Sequence, residues 1–255
     1  MKKSIKCFTL VLIISGGLLF LFNPEVFPEN FQFQNLLNSA PQNDVIIIFN
    51  SGGWGNTPFD KAEDFAPIIK GIQETLSEFG LNSIVIPYER TENNFLGKMT
   101  AIKDMRQSFQ DQAGKLAGDI DEYLRKNPSQ KIIMAGLSNG GAFVDETMKK
   151  ISNGLKDDVL VIEAGTPFWA NPKDFENGLI LDNGGKDALS KGEIKILISS
   201  LIKTPLRWIL AKILGENLSL FQISNQYLTH EYKWDEVRPQ ITSFLKSKFY
   251  LTKTP

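Results

Sequence analysis

Gly136-Leu137-Ser138-Asn139-Gly140 is the stretch of this sequence best suited to chemistry. The apolar run 131–135 leads into it, and Gly140, Gly141 and Ala142 open a helical pattern behind it. A serine between a strand end and a helix start stands on a sharp turn with its hydroxyl exposed. Glycines on either side give the tight turn and the packed helix the room they need. The positive end of the helix dipole would favour negative charge developing beside the serine. The plain alternative is a Gly-Ser turn with no chemistry. A hydroxyl is a poor nucleophile near neutral pH and needs a neighbouring base. The chain has one histidine, His230, which stands just before the last helical pattern. A carboxylate between the two would orient the imidazole and stabilise its charged form. Asp182 and Asp187 flank Asn183-Gly184-Gly185-Lys186 directly after an apolar run. Asp187 is the favoured acid, because Asp182 can still belong to the strand. Asp182 is the alternative and Glu163 a third choice; both aspartates could also be solvated turn residues.

Composition sets the outer limits. The chain has 255 residues, 42% hydrophobic and 22% charged, with a net charge of −1. That composition is globular, and the length suits one α/β domain with a large core. A nucleic-acid footprint needs a basic face, which this charge balance does not suggest. Cys7 is the only cysteine and His230 the only histidine, so an internal disulfide is impossible and a zinc site of His and Cys has almost no ligands. No metal and no cofactor are expected. No Gly-Lys-Ser/Thr follows a glycine loop, and no dinucleotide fingerprint is present.

Lys2, Lys3 and Lys6 precede an apolar run from Cys7 to Phe22. The run is a little short of the roughly 17–25 residues of a spanning helix. Residues 1–23 read as a signal anchor or signal peptide, with the anchor favoured because no small-x-small cleavage site follows. Lysines ahead of the run favour an N-terminus left in the cytoplasm. The bulk would then be membrane-anchored outside the cytoplasm, or secreted if the segment is cleaved. Residues 24–43, rich in Asn, Gln, Pro and Phe, read as a linker, with Phe27, Phe31 and Phe33 available to dock on the body.

From residue 44 strand and helix patterns alternate. Continuous apolar runs at 45–49, 83–87, 131–135, 158–163 and 178–182 suit strands buried on both faces. Helical spacing spans 60–79, 99–126, 141–152 and 235–250. Alternation of this kind argues an α/β fold, a mostly parallel sheet with helices on both faces. Residues 190–228 break the rhythm, with a cationic apolar stretch at 194–214 that Pro205 interrupts. That insertion reads as a cap or lid, as a helix lying on a membrane surface, or as a buried helix of the body.

The order Ser138, Asp187, His230 on alternating strands and helices resembles the α/β-hydrolase superfamily, of the serine esterase and lipase kind. The likeness covers residues from about 44 to 250. It rests also on Gly184-Gly185-Lys186-Asp187, similar to the family's Gly-x-x-Asp after a penultimate strand, and on an aromatic, Trp234, shortly after the histidine. The resemblance implies an α/β-hydrolase domain over 44–255, with 190–228 as its small helical cap. It implies an oxyanion hole whose first donor is the backbone N–H of Asn139. The second would come from Asn50-Ser51-Gly52-Gly53-Trp54-Gly55, from Gly53 or Trp54. This loop lacks the family's frequent His-Gly and could equally be a plain Gly-rich turn. The implied activity is cleavage of a carboxylic ester or related small-molecule acyl or lipid-like substrate through an acyl-serine intermediate. The alternative is a non-catalytic, membrane-anchored, hydrolase-like binding module.

Overall fold

The computed structural model describes residues 31–40, 43–92 and 94–250. The apolar run of 7–22, and the anchor or signal read there, lie outside the described residues. Among the described residues no helix is long and apolar enough to cross a membrane.

Among the described residues five strands form one sheet: β1 (Val45–Asn50), β2 (Ser83–Pro87), β3 (Lys131–Leu137), β4 (Val159–Ala164) and β5 (Gly178–Leu181). Their order is β2-β1-β3-β4-β5, and every pairing is parallel. The sheet is thus wholly parallel, a stricter form of the expected one. All residues of β1 and β4 are buried, as continuous apolar runs require when both faces are covered. The period of two sorts them. Val45, Ile47 and Phe49 enter one core with α2 (Ala66–Glu78) and α9 (Trp234–Phe249). Ile46 and Ile48 enter the other with α4 (Gln110–Lys126) and α5 (Asn139–Lys150). The chain turns from one side of β1 to the other between β2 and β3, so the carboxyl ends of β1 and β3 flank the switch point where ligands bind in open α/β sheets.

Three segments differ from their sequence patterns. Within 24–43, residues Phe31–Asn38 form a helix, α1, rather than a plain linker. Phe33 and Leu37 are buried in the core, with Phe33 edge-on to Tyr88 at 5.0 Å. Burying side chains of this size is worth about 1.5–3 kcal/mol each, enough to hold a short segment that its own propensity would not. The pattern of 60–79 resolves into a single 3-10 turn at Phe59–Lys61 and then α2, which starts with a proline in its first turn, where no N–H is needed. The pattern of 99–126 is two helices, α3 (Phe95–Arg106) and α4. Between them Ser108 and Phe109 have φ of 52° and 57°. The Phe109 N–H closes the end of α3 on the Asp104 carbonyl at 2.7 Å, and the turn drives the Phe109 ring against Phe143 at 6.0 Å. A tertiary aromatic contact overrides the local helical preference.

The insertion at 190–228 is helical. A short α6 (Ala188–Lys191) leads to a long α7 (Ile194–Ile213), which runs through Pro205, and α8 (Leu220–Leu228) folds back beside it. α8 starts with a capping box between Ser219 and Gln222.

Two helical glycines separate space from propensity. A Cβ on Gly71 of α2 would lie 2.3 Å from the Trp234 ring, whereas one on exposed Gly118 of α4 meets nothing within 4 Å. Gly71→Ala should lower the urea midpoint by the equivalent of about 1–3 kcal/mol through overpacking. Gly118→Ala should raise stability by roughly 0.5–1 kcal/mol. Equal shifts for the two would contradict the close approach of α2 and α9.

Candidate active site

Ser138 connects β3 to α5 at the carboxyl edge of the sheet. Its φ is 54° and ψ −119°, a conformation that costs a non-glycine residue about 1–3 kcal/mol and survives only where neighbours enforce it. The enforcement is visible. The Ser138 N–H donates to the Ala164 carbonyl at 2.7 Å. A Cβ on Gly136 would sit 2.3 Å from the Gly140 carbonyl oxygen, and one on Gly140 would sit 2.4 Å from that of Asn50. The two motif glycines therefore let α5 start directly against the end of β1. Ser138 occupies the position before the first helical turn, where N–H groups lack intrahelical acceptors.

Asp187 lies past β5 and is fully buried. Its carboxylate is held from four directions. Oδ1 accepts from the backbone N–H groups of Leu189 at 2.8 Å and Ser190 at 3.1 Å, which caps α6. Oδ2 accepts from His230 Nδ1 at 2.7 Å and from the Tyr232 hydroxyl at 2.5 Å. Burial pushes the Asp187 pKa up, but His230, Tyr232 and the cap outweigh it and leave the carboxyl below its ordinary range. The phenol of Tyr232 is pushed up, first by burial and then by the Asp187 charge, and stays protonated. An ionised Asp187 accepts only, so Nδ1 carries the proton in neutral His230 and Nε2 is the basic atom. Asp182 instead takes the Gly185 N–H at 2.9 Å and serves the turn.

His230 is 4% exposed. Its ring lies over Gly165, where a Cβ would come within 2.3 Å of Cε1. Gly165 directly follows Ala164, whose carbonyl holds the Ser138 backbone, so serine and imidazole meet the end of the same strand. α8 delivers the histidine: Thr229 ends that helix with φ 54°, the His230 N–H donates to Asn225, and Asn183 Nδ2 donates to the Thr229 carbonyl at 3.1 Å. Nε2 makes no hydrogen bond to the described residues.

The loop after β1 is drawn onto the elbow. Asn139 Nδ2 donates to the Gly53 carbonyl at 3.1 Å, and Gly53 has φ of 56°. Trp54 is nearly half exposed at this rim. Sequence reasoning missed the residue that holds the loop, Arg90. Its guanidinium donates to the carbonyls of Ser51 at 2.7 Å and Asn139 at 3.3 Å, so one side chain clamps loop and elbow together. Burial pulls its pKa down to about 10, and it remains a cation at neutral pH. The rings of Phe109 and Phe143 lie 5.2 and 5.4 Å from it, a contact that favours a desolvated cation. Tyr232 was the other omission. Two residues along an extended segment point to the same side, which was the available signal. Trp234, by contrast, packs on Gly71. Among the described residues no group of His, Cys, Asp and Glu is arranged to hold a metal.

Glu163, the third acid candidate, is elsewhere. It is buried at the end of β4 and accepts from Thr166 Oγ1 at 2.8 Å. Burial, with the charge of Asp145, pushes its pKa up to about 8. The folded chain keeps this carboxyl protonated to about pH 8, while a glutamate in the unfolded chain ionises near its model value of 4.5. The unfolded state gives up the proton first, so this group lowers stability as pH rises between those values. Glu163→Gln should flatten that decline in urea midpoints taken from pH 5 to pH 8; a decline of wild-type slope in the variant would contradict it.

No family model matches the sequence, and no curated protein matches it. Among solved structures it is similar to a Trichoderma reesei cutinase in complex with a phosphonate inhibitor. The two are 14% identical, with a TM-score of 0.51 over 85% of this chain and 87% of that one. At that identity the likeness concerns architecture, and the architecture of this protein is the α/β-hydrolase fold.

Proposed function

We propose that the protein is a serine hydrolase that cleaves a carboxylic ester or related acyl compound, with Ser138 as nucleophile, His230 as base and Asp187 as the acid behind it. The observation that carries this reading is the buried Asp187–His230 hydrogen bond of 2.7 Å, which leaves Nε2 as the acceptor beside the strand end that holds the Ser138 elbow. The fold-level likeness to a cutinase supports ester chemistry in general terms.

In this mechanism Ser138 Oγ attacks the acyl carbon as Nε2 takes its proton. The carbonyl oxygen becomes an oxyanion, facing the N–H of Asn139 and that of Gly53 or Trp54. Collapse breaks the bond to the leaving alkoxide, which takes the proton from Nε2. Water then attacks the acyl-serine with His230 again as base, and the acid product leaves with Ser138 restored. Arg90 acts on this through position, holding the two donor segments in register. Lys2, Lys3 and Lys6 ahead of the apolar run 7–22 support a body outside the cytoplasm, anchored or secreted.

Two variants test the assignment. Ser138→Ala should abolish labelling by a fluorophosphonate probe while the circular dichroism spectrum stays unchanged; full labelling of the variant would remove Ser138 from the reaction. Asp187→Asn should lower kcat for a chromogenic ester by about 10³–10⁴-fold, because an amide behind the ring no longer selects the tautomer with a basic Nε2. Retention of wild-type kcat in a folded Asp187→Asn protein would refute the role of the acid.

A further inference from the structure

α7 displays an apolar surface that the rest of the described chain does not cover. Leu201 is 74% exposed, Ile202 63% and Ile213 76%, and Leu206, Ile209 and Leu210 are exposed beside them. Ser200, Thr204 and Ala211 form its buried inner seam. At about 100° per residue, the six exposed side chains span roughly half the circumference opposite that seam. Scattered surface leucines need no explanation, but a contiguous patch marks an interaction site.

Charge identifies the occupant. Within Ile194–Ile213 the charged residues are Lys195, Lys203, Arg207 and Lys212, with no acid among them. On the same projection Lys203 borders the apolar arc on one side, with Arg207 beyond it toward the seam; Lys212 lies just inside the other edge, and Lys195 falls near the arc's midline ahead of Leu201. Arg207 is paired with Glu216 at 2.7 Å. A second copy of this face would bring like charges together at both borders. The chain's own apolar run at 7–22 carries Lys2, Lys3 and Lys6 at its head and meets the same objection. A surface that is apolar inside and anionic outside meets none.

We infer that α7 is an interfacial helix that docks this protein onto anionic lipid bilayers, its outer arc sunk to the headgroup–acyl boundary and its lysines on lipid phosphates. The inner seam, packed toward α8, keeps the helix attached to the body. This docking is independent of the catalytic reading and is expected unchanged in Ser138→Ala.

The test uses the full chain carrying Cys7→Ser and Ile209→Cys, with an environment-sensitive nitrobenzoxadiazole dye on the new thiol. On vesicles of phosphatidylcholine mixed with phosphatidylglycerol the dye emission should shift to the blue. Adding Lys203→Gln and Lys212→Gln should weaken that binding on the order of tenfold or more. Co-sedimentation without a blue shift would mean that another segment alone holds the membrane, and would overturn the proposal. An equal shift on pure phosphatidylcholine would overturn the anionic preference. A shift without vesicles that grows with protein concentration would give the face to a second copy.

Discussion

A fully buried carboxylate is expensive to hide, and Asp187 is tolerable only because four donors surround it. Those donors come from two places in the chain. Leu189 and Ser190 belong to the start of α6, and His230 and Tyr232 to the segment between α8 and α9. The satisfied anion therefore ties together both ends of the helical insertion and fixes the tautomer of the only histidine. Loss of any donor leaves a lone pair stranded in an apolar setting, so the stability of this corner and the orientation of the ring share one cause.

The opposite wall depends on close backbone approach instead of charge. Gly136 and Gly140 let the start of α5 meet the end of β1, and the same proximity forces Ser138 into its strained turn. Arg90 adds a cation whose donors grip the carbonyls of Ser51 and Asn139 from behind. It is desolvated beside two mutually packed aromatic rings, which requires that Phe109 be delivered by the break between α3 and α4. A departure from helical periodicity some distance along the chain thus serves the loop beside Ser138.

Buried strands and the elbow were legible because their signals are local. A continuous apolar run between polar borders has few alternatives to a strand in a parallel sheet, and the five runs correspond closely to β1 to β5. Gly136 to Gly140 likewise announces a tight turn within five residues. Two of the segments that departed from their patterns, at 31–38 and at 107–109, did so for the sake of Phe33 and Phe109. Each ring finds its partner from a distant part of the chain, and a window of neighbours contains no trace of that partner.

The amino-acid sequence alone determined the alternation of elements, the serine on its turn, and the presence of a single histidine, since composition and local backbone chemistry settle these. It favoured Asp187 without excluding Asp182, because two carboxylates five residues apart on one loop are chemically alike. Tertiary structure gives Asp182 to a turn N–H and Asp187 to the imidazole. It also revealed Tyr232, Arg90 and the uncovered arc of α7. All of these are matters of what faces what across the sheet edge, and long-range packing sets that where residue type and spacing do not.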